Sequence, residues 1–247
     1  MAQVQTLTLP HYSTYPVHVA LFKHVTNAAF LRSQLLEANP EFDYAFLDAE
    51  MVRSALHFLY WFINHVESSS TGVRGLALDR PDILSQNHLL TATFLALHAI
   101  LTSRSKTRTP HSELVFRLSP NNNIGESYKK FGLSDTTSSL IAVKLPLRPS
   151  SASSSDEAGK EWTLDESITN ESVSKHLGDV VKGTSVKIGE RGKELGECCD
   201  EEKVKKVYKL GGGGIKGKKG AMNGDAGIDQ RKDLESVILG TMTLKGS

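Results

Sequence analysis

The sequence predicts a single α/β (α+β) domain over residues 1–247, with a small mixed sheet covered by helices and with disordered insertions. Three observations lead there. Short runs of β-formers alternate with helical periodicities, a 39% hydrophobic content over 247 residues is enough for one sizeable core, and the low-complexity stretches interrupt the pattern without dividing it into two cores.

Val17 to Phe22 opens the order as a strand. Asn27 to Ala38 follows as a helix with Ala28, Leu31 and Leu35 on one side, ended before Pro40. Tyr44 to Leu47 is a second strand. Ala55 to Val66 holds an apolar run around Tyr60, Trp61 and Phe62 that is too short for a bilayer, where about twenty residues are needed; a buried or interfacial helix is the alternative. Gln86 to Ser103 reads as the main helix, with Leu90, Phe94, Leu97 and Leu101 on one stripe.

The chain then enters its most informative stretch. Lys106-Thr-Arg-Thr109 is a basic turn, and Glu113, Val115 and Arg117 alternate with Leu114, Phe116 and Leu118, which predicts a strand ended by Pro120. Asn123 stands three residues before Glu126, a capping-box spacing. From there Ile124, Tyr128 and Phe131 share a helical face, Lys129 and Lys130 suit the negative end of the dipole, and Gly132 is expected as the left-handed stop. Leu140 to Leu145 is another strand. Between Leu101 and Gly132 the cations Arg104, Lys106, Arg108, Arg117, Lys129 and Lys130 face only Glu113 and Glu126, in a chain whose net charge is +1. Such local charge suits a phosphate-facing patch, although lysines that only complement a helix end explain part of it equally well.

These residues carry a resemblance. The Lys-Thr-Arg-Thr turn, the Leu118-Ser-Pro-Asn-Asn-Asn-Ile124 run and the Lys129-Lys-Phe-Gly132 end resemble the kinase-binding subunit of the EKC/KEOPS complex, the CGI/TPRKB family, in its fungal form. Tyr15 to Phe22 with Val25-Thr-Asn-Ala resembles the family's first strand and helix start, and Val204 to Leu210 and Leu234 to Leu239 resemble its closing helices. The resemblance implies a non-catalytic subunit that binds a small atypical kinase/ATPase, meets other subunits through it, and captures the 3′ CCA end of tRNA for threonylcarbamoylation next to the anticodon. It also implies a nuclear or cytoplasmic location and links to telomere maintenance and transcription. The weak candidates for RNA contact are Lys106, Arg108, Lys129, Lys130 and His88, where a purely structural role is the competing reading of His88. For the kinase they are Leu234, Val237, Ile238 and Met242, on a stripe from Asp233 to Leu244 that this domain or a partner must bury. A protein-binding regulator that never touches RNA is the alternative function.

The segment from about Ala55 to Leu84 departs from the family pattern and is read as an insertion or as untrimmed intron translation. Two further insertions, 149–160 and 211–227, are serine-rich with acidic residues and glycine/lysine-rich, and both are expected to be flexible. Within the second, Gly212 to Lys219 follows the phosphate-loop spacing until Lys219 stands where Ser or Thr should hold Mg²⁺, which argues against an ATP-using enzyme. No cofactor and no metal are expected: His57 and His65 lack zinc spacing, and the adjacent Cys198 and Cys199 cannot staple distant segments. With only those two cysteines, a reducing intracellular compartment is expected. No secretory signal, acid/base pair or nucleophile elbow is evident either.

Overall fold

The computed structural model describes residues 1–49, 87–150, 161–189, 194–197, 201–210 and 236–245. The apolar run at 55–66 with the rest of 55–84, the glycine loop, Cys198, Cys199 and Leu234 lie outside them.

Strands β1 (Val4–Leu9) and β2 (Tyr12–Lys23) form a hairpin, and α1 (Ala28–Leu36) leads from β2 through a 3₁₀ turn at Pro40–Phe42 to β3 (Ala45–Asp48). Three helices follow: α2 (Asn87–Leu101), α3 (Pro110–Leu118) and α4 (Ile124–Phe131). Next come β4 (Leu140–Lys144), a small hairpin of β5 (Leu147–Pro149) and β6 (Trp162–Leu164), α5 (Asn170–Val180) and β7 (Thr184–Val186). Short helices α6 (Glu194–Glu197) and α7 (Glu201–Val207) and a last helix over 236–244, α8, complete the described chain.

The main sheet has the order β1-β2-β4-β3, with β7 extending the β1 edge along Leu21 to Lys23 of β2. Among the described residues every pairing is antiparallel, where a mixed sheet was expected. The reason is β4. It runs between β2 and β3, so the two strands joined through α1 point the same way without touching.

Period-two alternation sends the strands' side chains into two cores. Val17, Val19, Leu21, Ala45, Leu47, Ile141 and Val143 face α2, α3, α4, α7 and α8; Ala20, Phe22, Phe46, Leu140 and Ala142 face α1 and α5. The domain is therefore three-layered. Asn27 ties the outer two helices by donating to the Val180 carbonyl at 2.9 Å and accepting the Lys182 N–H at 2.9 Å.

Four expectations need correction. The alternating run at Glu113–Leu118 is a helix, α3, with Thr109 as its cap and Pro110 in its first turn. Glu113 through Leu118 are all buried, so the apparent two-face alternation marks a helix enclosed on every side. The α2 stripe is also rotated. Leu89, Ala92, Ala96, Leu97 and Ile100 lie deepest while Leu90, Phe94 and Leu101 are half-buried, because the alanines let α3 pack closely. Gly132 is extended (φ −76°, ψ 173°), not left-handed. It is glycine for space: a Cβ there would stand 2.6 Å from the Tyr128 carbonyl oxygen, and its backbone bridges to Leu47. Finally, Pro149 is not part of a loose insertion; it pairs with Trp162, and the Ser150 N–H donates to the Glu161 carbonyl at 2.6 Å, while 151–160 lie outside the described residues.

Histidines tie the layers and give the fold a pH dependence. His111 Nδ1 lies 2.9 Å from Asp43 Oδ1, and its Nε2 accepts the Leu145 N–H at 3.0 Å, so the imidazole is fixed as the neutral Nδ1–H tautomer. Burial holds His18, His111 and His176 below the usual histidine pKa, outweighing the Asp43 carboxylate beside His111. Folded histidines that resist protonation contribute stability above pH 6.5, and that stability is lost as the pH falls, because the unfolded chain then takes up the protons. The urea midpoint is expected to decline from pH 7.5 to pH 5; a midpoint that stays flat over this range would contradict it.

Candidate functional site

The N-terminal end of α3 meets the C-terminal half of α4 through a chain of hydroxyls. Thr109 Oγ1 accepts the Ser112 N–H at 3.2 Å as the α3 cap and lies 2.9 Å from Ser112 Oγ, which in turn lies 2.9 Å from the Tyr128 hydroxyl. Arg108 and Lys129 each sit one residue beyond an end of that chain. The basic turn and the end of α4 are thus brought together. Asn123 caps α4 by accepting the Glu126 N–H at 3.2 Å, the first half of the expected capping box, while the Glu126 carboxylate does not complete it and pairs instead with Lys129 at 3.3 Å. That exposed pair contributes little stability and is easily exchanged for another anion. Lys106 and Arg108 are exposed too, and Lys130 is half-buried.

Beside the turn opens a pocket of about 780 Å³, lined by Lys106, Phe116, Pro120, Asn122, Ile124, Thr241, Leu244 and Lys245. Its size falls within the range of ligand pockets. Three sequence segments build it. Lys106 comes from the turn, Phe116 to Ile124 from the end of α3 and the cap of α4, and Thr241 to Lys245 from α8. Ile124, read as sharing a helical face with Tyr128 and Phe131, is 39% exposed, whereas Phe131 is fully buried.

Lys245 latches α8 to this wall. Its ammonium lies 3.5 Å from the centre of the Phe116 ring and donates to the carbonyls of Phe116 and, at 2.8 Å, Ser119, two acceptors at the end of α3. Burial, with Arg117 nearby, lowers its pKa to about 7, so this cation's charge is adjustable near neutrality.

Two sets of expected site residues fall elsewhere. His88 is buried, with Nε2 2.9 Å from the Tyr208 hydroxyl, so it supports the core and meets no ligand at the surface. Ile238 and Met242 are buried in this domain's own core, which takes them out of any partner interface. Val237 remains 44% exposed and Leu244 76%. The pocket residues Phe116, Asn122, Leu244 and Lys245 were not anticipated. Asn122 lies within the Ser-Pro-Asn-Asn-Asn run, the one sequence signal that could have pointed to it.

Fold and pocket together define a class: a small three-layer α+β binding domain with a cationic recess walled by apolar side chains. Among the described residues no cluster of His, Cys, Asp or Glu could hold a metal ion, and no helix is long and apolar enough to cross a membrane. The family model described as kinase binding protein CGI-121 matches residues 22–72 and 65–246. The chain is 61% identical over 249 residues to the EKC/KEOPS complex subunit CGI121 of Phaeosphaeria nodorum, covering 99% of this chain and 100% of the relative. It is 34% identical to the EKC/KEOPS complex subunit cgi121 of Aspergillus fumigatus and 36% to that of Aspergillus terreus, each match covering 99% of this chain and 97% of the relative. The chain belongs to the CGI-121 family of kinase binding proteins.

Proposed function

We infer that this protein is a non-catalytic accessory subunit of an EKC/KEOPS-type tRNA-modification complex, which holds the complex's kinase/ATPase and captures the unpaired 3′ CCA end of tRNA. The observation that carries the RNA reading is the pocket. Lys106 supplies a cation, Pro120, Ile124 and Leu244 supply apolar surface for an unstacked base, and Asn122 and Thr241 supply polar groups for its edge, while Lys245, bonded to two carbonyls at the end of α3 over the Phe116 ring, braces the wall. Arg108, Lys129 and Lys130 extend the cationic track beyond the recess, where the preceding phosphates would lie.

The kinase contact is placed on the outward side of α8. Val237 leaves an apolar surface there, while Ile238 and Met242 anchor the helix from beneath. A few such anchors set affinity more than area does. Nuclear residence and links to telomere maintenance and transcription belong to the same reading.

The test compares intact tRNA with tRNA lacking its CCA end over a salt series. Intact tRNA is expected to bind about tenfold more tightly, and charge reversal of Lys129 and Lys130 should weaken both tRNAs and flatten the salt dependence. Equal affinity for the two tRNAs rejects end recognition, and binding of neither favours the regulator that binds protein alone.

A further inference from the structure

Both walls of the pocket depend on one fully buried side chain that does not line it. Glu113 Oε2 accepts the backbone N–H groups of Lys106 at 2.9 Å and Thr107 at 3.0 Å, together with the Thr107 hydroxyl at 3.0 Å. Its Oε1 accepts Arg117 Nε at 2.8 Å. Arg117 Nη1 then donates to the Lys245 carbonyl at 3.0 Å. A path of hydrogen bonds therefore runs from the basic turn, through the Glu113–Arg117 pair, to the end of α8.

We propose that Glu113 is the positioning residue of the RNA-end pocket, shaping the Lys106 wall directly and the 241–245 wall through Arg117. The proposal rests on the RNA-end reading above. By its charge alone a carboxylate beneath a phosphate site opposes binding, so its contribution is geometric. It draws two consecutive turn amides inward, and the turn accordingly presents the Lys106 and Arg108 side chains to the ligand, not its backbone N–H groups. That differs from a backbone anion nest, where the amides themselves meet the anion. Without the acceptor, the Lys106 and Thr107 amides beside a buried helix lose their partner, while the Thr107 hydroxyl still has the Thr109 carbonyl at 3.1 Å, and the turn must reorganise to satisfy the two amides. On the other side, Arg117 is the only buried cation bonded to both Glu113 and the Lys245 backbone among the described residues, so it orients the wall that carries Thr241 and Leu244.

The test uses the full chain and a single-stranded RNA oligonucleotide ending in CCA. Two paired substitutions remove the buried charges together, which avoids leaving one unpaired. Glu113→Gln with Arg117→Met keeps an acceptor for the turn; Glu113→Leu with Arg117→Met does not. The first pair loses only the Arg117 link to the 241–245 wall and is expected to bind about threefold to fivefold more weakly than the unaltered chain, with the same salt slope. The second should bind at least about tenfold more weakly, with log K falling against log salt by about one unit less steeply, as for one lost phosphate contact. Hydrogen exchange at the Lys106 and Thr107 amides should be slow in the unaltered chain and the first pair and fast in the second. A folded second pair that binds with unaltered affinity and slope, or exchange equal in all three, overturns the proposal. Should that pair not fold, Glu113→Asp, whose shorter carboxylate draws back from the turn amides, takes its place: faster exchange at Lys106 and Thr107 with binding at least about twofold weaker supports the role, and unaltered exchange or unaltered binding overturns it. If the unaltered chain does not bind the oligonucleotide while exchange differs as expected, the failure lies with the RNA reading and not with Glu113's hold on the turn.

Discussion

Arg117→Ala is expected to lower the unfolding free energy by about 3–5 kcal/mol, read as a shift of the urea midpoint at unchanged slope. Glu113 would keep the three donors from the turn but lose its counter-charge inside a helix buried on all sides. The Lys245 carbonyl would lose its guanidinium donor at the same time. The energy at stake is chiefly the cost of an uncompensated buried carboxylate, not the net worth of the pair, because the desolvation of both charges was already unfavourable. A loss below about 1 kcal/mol, as seen for exposed pairs, would show that water reaches Glu113.

Phe131→Ala is expected to cost a comparable amount, about 3–5 kcal/mol, by calorimetry or urea titration. Phe131 is fully buried at the last turn of α4, with its ring edge-on to His88 at 6.1 Å and to Tyr208 at 6.2 Å. Tyr208 donates its hydroxyl proton to the Leu118 carbonyl and so accepts from His88 Nε2, which fixes the histidine as the Nε2–H tautomer. The three rings join α2, α4 and the residue after α7, and Leu118 connects them to the end of α3. Truncation would leave a cavity at that junction and loosen the geometry of a hydrogen bond between two buried groups. A cost under about 1.5 kcal/mol would mean that the helices close over the gap.

What the sequence made legible follows the range of each interaction. The α4 start was readable because Asn123 bonds to a group three residues away, and β2, β3 and β4 because alternation or continuous apolarity is a local property. The mistakes came where local pattern and tertiary surroundings disagree. Glu113 to Leu118 alternates like a strand, yet Thr109-Pro110 is a helix start and the Glu113–Arg117 spacing is one helical turn. Gly132 looks like a left-handed stop, but its constraint is the Tyr128 carbonyl that only a folded α4 brings near. The cations of the turn and of α4 were read from local charge together with the family resemblance. The pocket was not, because its lining is drawn from residue 106 to residue 245 and no periodicity links such distant positions. His88 and Met242 were misplaced for a related reason: a polar or apolar residue on a helix face says which direction it points only after the neighbouring helices are known.

The position of β4 affects how the chain can be made. Val19 meets Val143, and Ala45 meets the same Val143 from the other side, so the sheet's central strand leaves the ribosome long after the two strands it joins. Until then β2, paired only with β1, and β3 expose apolar edges and faces to water, and the non-local pairings make assembly slow. The nascent N-terminal half therefore keeps apolar surface uncovered until β4 is made, and the domain reaches its native state only near the end of translation.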